Sequence, residues 1–132
     1  MADIEIPLAQ RPYYRHLGLT VMPPEDGTLR VVMDAMEELS NSRGEVHGGA
    51  IASLLDVTIS SALRSTLGEG GAAATASLTI NYLEPGQGRL TGVGRVVRKG
   101  RTIASVEARI EDDAGTIVAH GVGIMRVLRS GD

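Results

Sequence analysis

The chain contains no cysteine, no phenylalanine and no tryptophan, and only three tyrosines among 132 residues. Without cysteine there are no disulfides, no thiolate catalysis and no cysteine-based metal sites; the absence is compatible with any compartment. With aromatics at 2% of residues, Val, Ile, Leu, Met and Ala must fill the core. The 17 glycines favour close backbone approach, and a subunit interface would supply burial that so small a chain lacks by itself. A basic excess is missing as well: 13 Lys and Arg stand against 16 Asp and Glu, a formal net charge of −3. Nucleic-acid binders usually carry a basic face and, for single strands, stacking aromatics, which argues against that class. No run reaches the roughly 18 apolar residues of a membrane span. Residues 1–7 lack the basic and then apolar pattern of a signal peptide, so a cytoplasmic protein is the default expectation.

What is present is an ordinary globular balance, 42% hydrophobic and 22% charged, and a length suited to one domain over residues 1–132. Residues 11–17 predict a short helix opened by Pro12. Strands are expected at 19–22 and 29–33, on either side of the turn-rich Pro23-Pro24-Glu25-Asp26-Gly27, with a polar loop at 39–44. Residues 47–67 are rich in Ala, Ile, Leu, Ser and Thr, contain no proline, and are closed by Gly68. They predict a helix of about 20 residues, apolar nearly all round and therefore buried. From residue 75 the period becomes two: Ala76, Leu78, Ile80 and Tyr82 alternate with Thr75, Ser77, Thr79 and Asn81. Further strands are expected at 89–98, 101–111 and 116–128, the first two joined by a tight turn at Lys99-Gly100. The order reads as α+β: an antiparallel sheet in meander spacing, wrapped around one long central helix.

Two features at that helix carry chemistry. His47-Gly48-Gly49 places glycines at its start, where backbone N–H groups are free, the dipole is positive and a ligand oxygen can approach closely. Such a place stabilises a carbonyl oxygen gaining negative charge; it equally permits nothing more than a tight loop-to-helix junction. Asp56 lies mid-helix between Leu55 and Val57, where a carboxylate is costly to bury unless paired, and where desolvation suits general-base work. Its bland alternative is a carboxylate facing solvent or capping a loop. Gly48 and Asp56 are eight residues apart, about 12 Å along the axis, so one helix cannot bring both to a single small reacting group. Joint action implies a second subunit whose helix runs antiparallel, with a two-fold axis between them.

Asn41, two residues, Gly44, two residues, His47-Gly48-Gly49 and then Asp56 form a long spacing with four residue types fixed. This pattern resembles the hotdog-fold acyl-CoA thioesterases of the phenylacetate-degradation (PaaI) type, and the likeness extends through 75–86 and 96–128. The resemblance implies hydrolysis of acyl- or aryl-CoA thioesters to free acid and coenzyme A. It implies Asp56 as catalytic base or nucleophile and the Gly48 N–H as the group polarising the thioester carbonyl. Asn41 would position water or thioester, His47 would order the loop, and Thr75 would help hold the water. It also implies an obligate homodimer, paired further into a dimer of dimers, with coenzyme A entering only as part of the substrate and no other cofactor.

Arg98, Lys99 and Arg101 surround a turn and are candidates for the coenzyme A phosphates, or else an ordinary solvated hairpin tip. His16 and His120 have no ligand-spaced partners and read as structural, so no metal is expected. His47-Gly48-Gly49-Ala50 faintly resembles a lipase oxyanion loop, but no Gly-x-Ser-x-Gly elbow accompanies it. Gly92, Gly94, Gly121 and Gly123 lie within strands, where glycine marks curvature or close packing rather than a dinucleotide fingerprint. Two other readings stay open: a non-catalytic acyl-CoA sensor, and a hotdog hydratase or dehydratase. The latter typically pairs a His with its carboxylate, and Asn41 stands where that His is expected.

Overall fold

The computed structural model describes residues 11–129. The signal-peptide expectation for residues 1–7 lies outside them. Helix α1, Pro12–Leu17, starts on proline and stops at Gly18, whose φ of 67° is left-handed and whose N–H donates back to Arg15. Strands β1 (Leu19–Val21) and β2 (Leu29–Met33) pair antiparallel, and a single 3-10 turn at Glu37–Leu39 leads into the loop before the long helix. Helix α2, Gly48–Arg64, is followed by β3 (Ala72–Tyr82), β4 (Leu90–Lys99), β5 (Ile103–Asp112) and β6 (Ile117–Leu128). No described helix is long and apolar enough to cross a membrane.

The six strands of the described residues form one antiparallel sheet in the order β1-β2-β4-β5-β6-β3. The expected meander therefore holds for β4, β5 and β6 and fails for β3. α2 carries the chain across the face of the sheet, so β3 is laid down at the far edge, beside β6. Residues 83–89 then return the chain to β4.

The helix ends three residues earlier than predicted. Past Arg64 the bonding tightens to i→i−3, from Thr66 N–H to Leu63 and from Leu67 N–H to Arg64, while the Ser65 and Thr66 hydroxyls donate to the Ala62 and Leu63 carbonyls. Nor is α2 buried all round. Leu54, Leu55, Thr58, Ile59, Ser61 and Leu63 are almost completely enclosed, but Ala52, Ser53, Asp56, Ser60 and Arg64 form a half-buried stripe.

The strand glycines let helix and sheet approach closely. A methyl on Gly92 would overlap Thr58, one on Gly121 would overlap the Thr79 carbonyl and come within 2.6 Å of Leu55, and one on Gly123 would stand 2.8 Å from Ile59. A chain with almost no aromatics thus closes its core by bringing backbone to helix rather than by inserting large side chains. The glycines expected to mark close packing do mark it.

Candidate active site

The loop before α2 is built around Asn41. Its Oδ1 accepts the N–H groups of Arg43 (2.9 Å) and Glu45 (3.1 Å), an Asx turn that fixes the amide orientation and leaves Nδ2 without a partner among the described residues. The loop is tied down further on by Val46 N–H to Gly86 (2.8 Å) and His47 N–H to Leu39 (2.7 Å). Asn41 therefore organises the loop with its oxygen, while its amide donors stay unengaged among the described residues.

His47 is the N-cap of α2. Its Nδ1 accepts the Gly49 N–H at 2.8 Å, so of the two glycine donors expected to be free, one is satisfied within the chain. The bond requires an unprotonated Nδ1, with the imidazole hydrogen on Nε2. Gly48, the first helical residue, makes no hydrogen bond through its N–H among the described residues. Gly48 borders a cleft of about 360 Å³ lined also by Asn41, Ile51, Tyr82, Leu83 and Gly86, among others. Asn41, His47 and Gly48 are thus brought together at one end of the helix.

Asp56 lies two turns further along, half-buried in the stripe that the sheet leaves uncovered. Its partial burial falls between the two readings of the sequence, a desolvated carboxylate and one facing solvent, because the neighbouring positions of that stripe are Ala52, Ser53 and Ser60 rather than core residues. One oxygen, Oδ1, accepts the Thr75 hydroxyl at 2.7 Å. This contact needs a feature that the alternation of β3 does not reveal. The register shifts between Thr75 and Ser77, leaving Ala76 as a bulge. Thr75 pairs with the buried Met125 and Leu78 with Gly123, so both face the helix. The unbroken alternation grouped Thr75 with Ser77, Thr79 and Asn81; the extra residue reverses its face and aims the hydroxyl at Asp56.

Tyr82 carried no role in the sequence reading and proves to be part of the site. Its hydroxyl donates to the Gly48 carbonyl at 2.9 Å, and its ring lies against the Gly48 backbone although the residue is 53% exposed. The available signal was its phase: it shares a face with Leu78 and Ile80, and a tyrosine hydroxyl there needs a polar partner. Arg98, Lys99 and Arg101 sit at the opposite end of the molecule, by the C-terminus of α2, with Lys99 Nζ bonded to the Thr66 carbonyl at 3.0 Å. His16 and His120 are both exposed rather than packed.

Residues 43–119 match the model of the thioesterase superfamily, a span that includes the helix N-terminus, Asp56 and Thr75. The chain belongs to that superfamily. This thioesterase is 37% identical to a candidate esterase of Halobacterium salinarum, over 86% of this chain and 82% of that protein. It is 28% identical to human acyl-coenzyme A thioesterase 13, over 84% and 81% of the two chains. Among solved structures, the Escherichia coli PaaI protein of the phenylacetic acid degradation operon superposes with a TM-score of 0.80, at 25% identity, over 89% of this chain and 84% of that one. The resemblance seen in residues 41–56 and the hotdog architecture are both established, and the protein is a thioester hydrolase.

Proposed function

We propose that this thioesterase hydrolyses acyl- or aryl-CoA thioesters at a site shared by two antiparallel copies of α2. The observation that carries the reading is the separation of its two reactive groups. The unbonded Gly48 N–H and the Thr75-held Asp56 lie about 12 Å apart along one helix, too far to serve one carbonyl. An antiparallel second copy brings Asp56 of the partner subunit to this Gly48. Two features support such a copy: the half-buried stripe of small residues around Asp56, and β3, an 11-residue strand with no partner along its outer edge among the described residues. Long open edges invite pairing with another chain. The resulting homodimer is obligate for activity, and pairing into a dimer of dimers is part of the same proposal.

In the reaction, the thioester oxygen points at the Gly48 N–H, with the free Asn41 amide beside it. Asp56 takes a proton from water, the hydroxide adds to the carbonyl carbon, and the oxyanion is stabilised at the helix N-terminus. Collapse expels the CoA thiolate, which takes up the proton held by Asp56. Thr75 fixes one carboxylate oxygen and leaves the other for water. Direct attack by Asp56, through an anhydride that water then opens, uses the same groups. Neither route draws on a metal or a further cofactor, and the expected cytoplasmic setting is kept.

Arg98 and Arg101, with Lys99, are proposed to meet the CoA phosphates. Arg64, Arg126 and Arg129 gather at the same end of a chain whose net charge is −3. The test is thiol release across aromatic, straight-chain and hydroxylated acyl-CoA esters, each compared with the N-acetylcysteamine thioester of the same acid. Turnover of CoA esters is expected, with kcat/KM lower by roughly tenfold or more for the truncated esters, since remote binding energy is lost with the phosphates. Saturable binding without thiol release would instead indicate a binding module.

A further inference from the structure

Gly48-Gly49 is the least constrained dipeptide a chain can offer, yet an oxyanion donor works only if its direction is fixed before charge develops. Each peptide plane around Gly48 is held. The plane after it is gripped at both edges: the Tyr82 hydroxyl donates to its carbonyl at 2.9 Å, and its N–H, that of Gly49, donates to His47 Nδ1 at 2.8 Å. The plane before it, which carries the Gly48 N–H, has its carbonyl on His47 bound by the N–H groups of Ala50 (2.9 Å) and Ile51 (3.1 Å). The next carbonyl, Gly49, accepts the Ser53 hydroxyl at 2.9 Å, and Ser53 Oγ is 2.6 Å from Tyr13 Oη. Ser53 has a single hydroxyl hydrogen and gives it to Gly49, so Tyr13 is the donor to Ser53. Two segments distant in sequence, α1 and the end of β3, together with Ser53 in the second turn of α2, thus converge on two glycines.

We infer that Tyr82, with Ser53 and Tyr13 behind it, is a positioning residue that locks the Gly48-Gly49 turn and aims the unbonded Gly48 N–H into the cleft. The inference rests on the proposed role of that N–H as the oxyanion donor. Tyr82→Phe keeps the ring that packs on Gly48 and removes only the grip on its carbonyl. The expected result is a fall in kcat of roughly tenfold, a fraction of the loss from deleting such a donor, with KM within about twofold. Ser53→Ala is expected to act in the same direction and add to it.

A second readout needs no turnover. Exchange of the Gly49 amide hydrogen, followed by NMR, is expected to accelerate roughly threefold to tenfold in Tyr82→Phe, as one hydrogen bond's worth of restraint is lost. Unchanged exchange would overturn the clamp. Faster exchange with unchanged kcat would overturn its part in catalysis. A wild-type protein that hydrolyses no thioester would remove the functional reading, and the exchange rates would still decide whether Tyr82 restrains the turn.

Discussion

Replacing Asp56 with Asn is expected to lower kcat for thioester hydrolysis by roughly 10³-fold, within the usual range for losing a general base, while the fold and the assembly persist. Asn has the shape of Asp and can still accept the Thr75 hydroxyl, the one side-chain bond that Asp56 makes among the described residues. Its position lies on the half-buried stripe rather than in the core, so stability should change by about 0.5 kcal/mol or less. Removing the ionisable oxygen therefore separates chemistry from structure. Whether Asp56 activates water or attacks the carbonyl, the amide does neither. Steady-state thiol release, with the unfolding midpoint as control, measures both parts. Near-normal turnover by the folded variant would remove Asp56 from the mechanism.

Gly48→Pro should be nearly as damaging, with kcat falling by roughly 10²- to 10³-fold, the cost of deleting one oxyanion donor. Proline is an unusual choice for a catalytic glycine, but the local geometry favours it. Gly48 is the first residue of α2, where proline suits the helix and its missing N–H costs no intrahelical bond. His47 precedes it at φ −59° and ψ 139°, the extended conformation that a following proline requires. A Cβ at Gly48 meets the Tyr82 ring at 3.6 Å, an ordinary contact. The substitution thus removes one N–H, already without a partner among the described residues, and little else. Retained activity would mean that the carbonyl oxygen is held elsewhere.

Legibility in the sequence followed how local each feature is. The spacing from Asn41 to Asp56 was readable because the Asx turn, the N-cap and the helix are all built from near neighbours. The β4–β5 hairpin and the glycine contacts were readable for a similar reason: strand glycines flanked by β-branched residues have few other uses. The edge position of β3 was not, because strand order is decided by where α2 delivers the chain. The bulge at Ala76 was hidden too, since one extra residue leaves the apolar-polar alternation almost intact while reversing the face of Thr75. Tyr13, Ser53 and Tyr82 escaped notice because their hydroxyls find partners 34 to 40 residues away, or four residues back on α2. The same distances in space and sequence led to the shared site: Asp56 and Gly48 are close in the chain, yet one helix keeps them apart.

The most direct test of that sharing is complementation between the two inactive variants. Asp56→Asn and Gly48→Pro chains carrying different tags are coexpressed, and dimers holding one of each are isolated by both tags in succession. If each site takes Gly48 from one chain and Asp56 from its partner, every mixed dimer contains one intact site and one doubly defective site. The activity expected is then roughly half that of the wild-type dimer, far above either parent. Mixed dimers no more active than their parents would show that Gly48 and Asp56 do not meet across the interface.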